Sequence, residues 1–299
     1  MFGHVRRIGI VDVAAVALSI GLAGCVSQGG SGGNPDKIHQ QAQADLSRWA
    51  DAVASLGPST FVPVGDLTGQ VGDWEESVGG NNKSALMAGV VEWTDALPDD
   101  TPPDGQVLWP DGTTSAVQLI SARAAISEVK SEGAGSCADC TPLQITGARL
   151  GTGSVETSRG LAQVPIWEFT VQGTAVLVTR VAIDARVSVS QPPMDPNAPY
   201  AIAVESATIS ADGTQLTVTF TGAPGPASQS CGADYTAEAV ESSTAVVAIV
   251  TEHKHAALFE ACTAVGAERT AVAQLAAPLG SRVVLDLTTG QPVAVEQSH

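Results

Sequence analysis

Apolar residues recur at steps of three and four between positions 35 and 56, where Ile38, Ala42, Leu46 and Trp49 share one helical face. An Asn-Pro pair opens this stretch and a Gly-Pro pair follows it. The spacing therefore predicts an amphipathic helix over 35–56, with a start and a stop signal at its two ends.

Two shorter helices are expected further along the chain. Small and apolar residues over 84–93, ended by a Leu-Pro pair, predict the second. The third is predicted over 121–132, with Ser121 as its N-cap and Gly133 as its stop.

Strand signals dominate the remaining chain. Leu216, Val218 and Phe220 alternate with threonines, the pattern of a half-buried strand. Asp111-Gly112 and Asp212-Gly213 predict tight turns between extended runs, because glycine supplies the positive φ that such turns need. The expected strands cover 61–64, 71–74, 106–109, 113–120, 143–146, 164–171, 175–183, 185–189, 200–210, 214–221, 245–251, 270–275 and 282–287.

A proline-rich segment divides the chain. Four prolines lie within residues 191–199, and such a run cannot lie inside a helix or a central strand. The sequence therefore predicts an α+β domain over 36–190, a linker over 191–199 and an all-β, antiparallel, sandwich-like domain over 200–299. The fold class expected is β-rich overall.

The first 24 residues have the organisation of a secretory signal peptide. Arg6 and Arg7 precede a short apolar run that ends in small residues, and the run is too short to span a membrane. The sequence Leu22-Ala-Gly-Cys25 resembles the lipobox of bacterial lipoproteins. That resemblance implies a diacylglyceryl group on Cys25, cleavage before it, a Gly/Ser-rich tether over 25–35 and a body held by lipid at the outer face of the cytoplasmic membrane.

Several short sequence segments further along the chain resemble those of uncharacterised exported lipoproteins of high-GC Gram-positive, actinobacterial type. This resemblance implies an envelope location and brings no activity with it. The segments are Gly72-Asp-Trp-Glu75, Asn82-Lys-Ser-Ala-Leu-Met87, Thr157-Ser-Arg-Gly160, Val164-Pro-Ile-Trp-Glu-Phe169 and Pro278-Leu-Gly-Ser-Arg-Val-Val-Leu-Asp286.

The net charge of the chain limits the classes of binding partner that can be expected. The chain has 14 Lys and Arg against 31 Asp and Glu, a net charge of −17. Removal of residues 1–24 leaves 12 basic and 30 acidic residues and a net charge of −18. Such a chain lacks the cations that bind phosphate backbones or anionic lipid, so nucleic acid is not an expected partner. Membrane contact is expected only through the lipid on Cys25.

The chain has four further cysteines, which can pair in three ways. An oxidising exterior favours disulfides, and the simplest pairing joins Cys137 to Cys140 and Cys231 to Cys262. A redox role for Cys137 and Cys140 requires a following helix, but Thr-Pro and a predicted strand follow. A four-thiolate zinc site is the remaining alternative, and the second pair lacks the close spacing that such a site uses.

Other chemistry-bearing residues form no recognisable set. His253 and His255 lie on one side of a strand end and could chelate a metal, but no third ligand is set by the pattern. Glu75, Glu92 and Glu168 are scattered carboxylates near tryptophans. We expect no catalytic residue, metal or cofactor, and a non-catalytic binding or structural role in the cell envelope. The alternative is an envelope hydrolase that acts on cell-wall or carbohydrate substrate through acidic residues.

Overall fold

A computed structural model of the chain describes residues 34–56, 61–74, 81–94, 97–134, 136–184, 201–255 and 261–298. Over these residues the helices are α1 (Pro35–Leu56), α2 (Asn82–Met87) and α3 (Ala122–Glu132). The strands are β1 (Thr68–Val71), β2 (Val91–Trp93), β3 (Gly105–Leu108), β4 (Thr114–Val117), β5 (Leu143–Thr157), β6 (Gly160–Val171), β7 (Leu177–Val181), β8 (Ser206–Ile209), β9 (Gln215–Gly222), β10 (Ala233–Glu241), β11 (Ala245–Lys254), β12 (Ala267–Gln274), β13 (Val283–Asp286) and β14 (Ala294–Gln297).

The first half of the chain is organised around a seven-stranded sheet. Its order is β1-β7-β6-β3-β4, with β5 on the other side of β6 and β2 beside β5. Only the short β2–β5 pairing is parallel. Apolar side chains of β6, including Phe169 and Val171, are buried in a core that also holds Ile126 and Val129 of α3.

A buried arginine joins α3 to this sheet. Ser121 caps the helix, and its hydroxyl accepts a backbone N–H at 3.1 Å. Arg180 on β7 is only 1% exposed and donates to Thr68 (2.8 Å), Glu128 (3.2 Å) and Glu132 (2.8 Å). A cation can be buried in this way because oxygen acceptors from β1 and α3 surround it.

The second half of the chain is a sandwich of two sheets, which confirms the β-rich, sandwich-like fold class. One sheet has the order β10-β11-β13 and the other β12-β9-β8-β14. Leu216, Val218 and Phe220 of β9 point inward, as their alternation predicts, and share a core with Val246 and Ala248 of β11. Two of the pairings, β11 with β13 and β8 with β14, are parallel, and the others are antiparallel.

Helix α1 covers the outer face of the three-stranded sheet. Ala42, Leu46 and Trp49 pack against Val247 and Ile249 of β11. The sequence interpretation placed this helix in the N-terminal domain, whereas its apolar face is buried on the C-terminal sheet. By their contacts, the described residues from Asn34 onward belong to one compact unit. The proposed linker over 191–199 lies outside the described residues.

The turn that follows β13 lies close against α1. Asp286 is 4% exposed and accepts the backbone N–H of Thr289 at 3.0 Å. Gly290 then takes φ +67°, and a Cβ at this position would lie 2.9 Å from Oδ1 of Asp45. The Asp45 carboxylate is buried and is bonded to Arg48 one turn along the helix. Close approach of helix and turn thus depends on a glycine at position 290.

Several predicted elements are confirmed. Helix α1 has the predicted bounds, and α3 follows its predicted cap. Both Asp-Gly turns form, with Gly112 at φ +81° and Gly213 at φ +76°. Asp111 and Asp212 each accept hydrogen bonds from the threonine two residues later. The Thr113 hydroxyl lowers the pKa of the Asp111 carboxyl, and the Ser210 hydroxyl lowers that of Asp212.

One predicted helix is wrong. The sequence indicated a helix over 84–93, but α2 ends at Met87 and the chain continues as β2 from Val91. Gly89 at φ +66° reverses the backbone between them, and a Cβ there would lie 2.6 Å from the Lys130 carbonyl oxygen. The sequence also missed β10, β14 and most of β5.

The predicted leader, Cys25, the tether and the strand over 185–189 lie outside the described residues. Within the described part of the chain, no helix is long and apolar enough to cross a membrane.

We predict that Gly290→Ala lowers the free energy of unfolding by about 2 kcal/mol, because an L-residue in this conformation costs about 1–2 kcal/mol and its Cβ meets Asp45. Urea unfolding checks this. The matched control is Gly173→Ala, at φ +81° with no atom within 4 Å of its Cβ, which isolates the backbone cost. If the two variants lost the same free energy of unfolding, the Asp45 contact would contribute nothing to the cost of Gly290→Ala.

Candidate functional site

The candidate site is a cavity of about 980 Å³ at one end of the sandwich. The end of β9, the start of β10, the end of β11 and the segment before β12 surround it. Its size is within the range of small-molecule sites. The wall combines loop backbone with the side chains of Tyr235, Glu252, Lys254 and His255 and with the Cys231–Cys262 disulfide.

Tyr235 connects the sandwich core to the cavity. Its ring packs edge-on against Phe220, with ring centroids 4.9 Å apart. Its hydroxyl accepts the N–H of Ala223 at 2.6 Å and donates to Oε1 of Glu252 at 3.2 Å. A Cβ on Gly222 would lie 2.6 Å from that hydroxyl oxygen, so glycine is required beside it. Burial raises the pKa of Tyr235, and the Glu252 carboxylate raises it further. The hydroxyl therefore stays protonated at neutral pH.

Arg269 organises the loop that forms one wall of the cavity. Its guanidinium lies 5.3 Å from the centre of the Tyr235 ring. It donates to the carbonyl oxygens of Ala223 (2.8 Å), Gly225 (3.3 Å) and Ala233 (3.4 Å). One planar cation thus binds both ends of the loop between β9 and β10, because its donors are arranged as a rigid fork.

His255 fixes the middle of the same loop. Its Nδ1 lies 2.7 Å from the Ala227 carbonyl oxygen. Because a carbonyl oxygen only accepts, Nδ1 is the donor of this hydrogen bond. The N–H of Ala227 donates to Asp234 (3.2 Å), and the N–H of His255 donates to the Gly232 carbonyl oxygen (2.9 Å). Loop 223–232 is therefore held along its length.

A disulfide closes the far wall. Cys231 is bonded to Cys262, with Cα atoms 5.5 Å apart, and joins the loop to the segment before β12. Cys231 takes φ +58°, the only positive φ of a non-glycine residue among the described ranges. The second predicted disulfide, Cys137–Cys140, is also present and lies in the loop before β5. Thus the structure contains the pairing that the sequence favoured.

The cavity combines opposite charges with neutral polar groups. Glu252 and Lys254 form an ion pair at 3.3 Å, and the Glu252 side chain is 18% exposed. Thr221, Gln229 and Thr263 add neutral donors and acceptors to the wall. This balance differs from the strongly acidic chain as a whole, and it suits an uncharged or zwitterionic polar ligand.

The two histidines singled out in the sequence have separate partners. Nε2 of His253 lies 3.0 Å from Oγ1 of Thr236 on the neighbouring strand, whereas His255 binds loop 223–232. In the part of the chain that the structure describes, no group of three or more His, Cys, Asp or Glu could hold a metal ion.

The carboxylates of the hydrolase alternative do not converge. Glu92 accepts a hydrogen bond from Gln144 at 2.8 Å, and Glu168 is paired with Arg149 at 2.5 Å. Gln144 and Arg149 are five positions apart on β5, so these two partner residues lie roughly 15 Å apart along the strand. Glu75 lies outside the described residues.

The tryptophans belong to the cores. Trp49, Trp109 and Trp167 are buried, and Trp74 and Trp93 pack at the edge of the N-terminal core. None of the five lines the cavity.

Sequence reasoning missed the cavity and its organising residues, Tyr235 and Arg269. The available signal was the run Gly-Ala-Pro-Gly-Pro over 222–226 followed by Cys231, which indicates a constrained loop. That signal does not show which distant side chains the loop meets.

We predict that Tyr235 ionises above its usual pKa of about 10, because burial and Glu252 disfavour its charged form. The chain has two tyrosines, Tyr200 and Tyr235, so tyrosinate absorbance resolves two titrations. Tyr235→Phe should remove the later one, and Tyr200→Phe should leave it. The stabilising contribution of Tyr235 is present below about pH 10 and is lost as the pH rises through the folded-state pKa. Loss of the earlier titration in Tyr235→Phe would contradict this assignment.

No protein-family model, curated protein or solved structure matches this chain, so the candidate site is described by its own geometry alone.

Proposed function

We propose that the chain is a lipid-anchored, extracytoplasmic binding protein of the cell envelope, and that its ligand occupies the cavity at the end of the sandwich. The observation that carries the proposal is the construction of the cavity wall. Arg269, His255 and the Cys231–Cys262 disulfide hold one loop at several points along its length, beside a space large enough for a small molecule. A wall fixed before the ligand arrives reduces the ordering cost of binding.

The location is supported by two independent features. The lipobox resemblance at Cys25 implies export and acylation. Two disulfides occur in the described residues, and disulfides persist in oxidising compartments. One acyl chain binds a membrane only marginally, so at least two chains on Cys25 are needed for stable anchoring.

The anchor is tested by the mass of the mature N-terminus. We expect the protein isolated from membranes to begin at Cys25 and to carry the added mass of at least two acyl chains. Cys25→Ser should move the protein from the detergent phase to the aqueous phase in detergent partitioning. A mature chain that begins at another residue, or an unmodified Cys25, would refute the anchor and leave the cavity proposal standing.

The cavity is tested by native mass spectrometry of protein released gently from the envelope. We expect a small-molecule adduct that is absent from Thr263→Trp, because an indole at this position of the wall takes up part of the cavity and obstructs the ligand. The matched control is Thr270→Trp, at an exposed position on β12 outside the wall, which should keep the adduct. An adduct retained in Thr263→Trp, or none in the wild-type protein, would contradict the proposal.

A further inference from the structure

A long stretch of β5 has a sheet neighbour on one side only. Strand β6 pairs with β5 along almost its whole length. On the opposite edge β2 pairs only with Leu143–Ile145, and the segment at Pro63 pairs at Thr157. No described residue pairs with this edge of β5 over 147–155.

The backbone geometry shows which groups this edge presents. Thr152 lies opposite Pro165 on β6, and proline has no N–H to donate. The Pro165 carbonyl accepts the N–H of Ala182 on its other side, so this pair exchanges no ladder hydrogen bond. The carbonyl of Glu156 accepts the N–H of Val64, in the same outward direction. The backbone N–H and C=O groups of successive residues point alternately to the two edges of an antiparallel strand. The even-numbered residues of this stretch therefore direct their N–H and C=O groups away from β6. These residues are Ala148, Leu150, Thr152 and Ser154.

The edge is open to solvent. Leu150 is 44% exposed, although it lies opposite the buried Trp167, and Thr152 and Ser154 are also exposed. Exposed edges of natural sheets are commonly protected by charged side chains, above all lysine, by proline or by short length. The stretch over 147–155 contains neither lysine nor proline, and its one charged residue, Arg149, is paired with Glu168 of β6.

We infer that this stretch, the β5 edge slot (residues 147–155), binds an extended peptide segment of a partner protein by β-strand addition. Alternating N–H and C=O groups on a strand edge are complementary to another extended backbone. The slot is roughly 30 Å long, enough for seven to nine extended residues.

The elements at the two ends of the slot limit the length of a strand that can pair with it. A second copy of β5 has 15 residues, and paired here it would run into β2 at one end and into the segment at Pro63 at the other. A short extended segment fits between these elements without displacing them. The occupant is therefore a peptide segment of another protein rather than the same strand of a second copy.

Hydrogen exchange on the purified protein tests the slot with a defined probe, the peptide acetyl-Lys-Thr-Val-Thr-Val-Thr-Lys-amide. Without the probe, we expect the N–H groups of Leu150, Thr152 and Ser154 to exchange faster than those of Gly151 and Gly153, which bond to β6. The probe should slow the three outward groups at least fivefold. The control is the same peptide N-methylated at all five central residues, which keeps the charge but removes the backbone donors of its central segment.

A protein variant provides a second test. Thr152→Pro removes one outward donor without removing a hydrogen bond to β6, so it should weaken probe binding at least fivefold. Thr152→Val keeps the backbone donor and should bind the probe like the wild-type protein.

Four results would overturn the inference: outward groups already protected without the probe, no slowing of these groups by the probe, equal protection by the N-methylated peptide, or a dimer in sedimentation that Thr152→Pro dissociates. The first three measurements use the wild-type protein and do not depend on how the variants fold.

Discussion

The structure of the second half of the chain depends on the burial of β11 on both of its faces. Val246 and Ala248 face the sandwich core, while Val247 and Ile249 lie under α1. An apolar run of this kind cannot be left with one face in water, since each fully buried aliphatic side chain contributes about 1.5–3 kcal/mol. Helix α1, far away in sequence, is therefore required as a third layer. Strand β11 is buried up to Val250 and becomes polar and more exposed from Thr251 onward. Its polar end supplies Glu252 and Lys254 to the cavity.

The cavity and the β5 edge slot present different kinds of binding surface. The cavity is bounded by a loop whose carbonyl and N–H groups are already occupied by Arg269, His255 and Asp234, so its shape is set before any ligand arrives. The slot presents backbone groups that remain available to another chain. A rigid concave site suits a small molecule, whereas an open strand edge suits an extended polypeptide. The two surfaces belong to different sheets.

Local signals in the sequence predicted local structure well. The spacing of apolar residues predicted α1, the cap at Ser121 predicted α3, and the Asp-Gly pairs predicted two turns. The helix over 84–93 failed because Gly89 reverses the chain where it packs against the end of α3, a tertiary contact that no local pattern encodes. The roles of Arg180 and Arg269 could not be predicted for the same reason, since their hydrogen-bond partners lie 36 or more positions away. The disulfides were predictable because only three pairings exist for four cysteines.

The position of α1 also determines how the molecule carries mechanical load. It is the first described element, and it packs across β11 through Ala42, Leu46 and Trp49. A force applied at Asn34 reaches this helix–sheet contact before it reaches any strand ladder. Side-chain packing then bears the pull, and the hydrogen bonds of the sheets are loaded only after the helix has separated. The helix would detach first under tension, and its loss would leave one face of β11 in water.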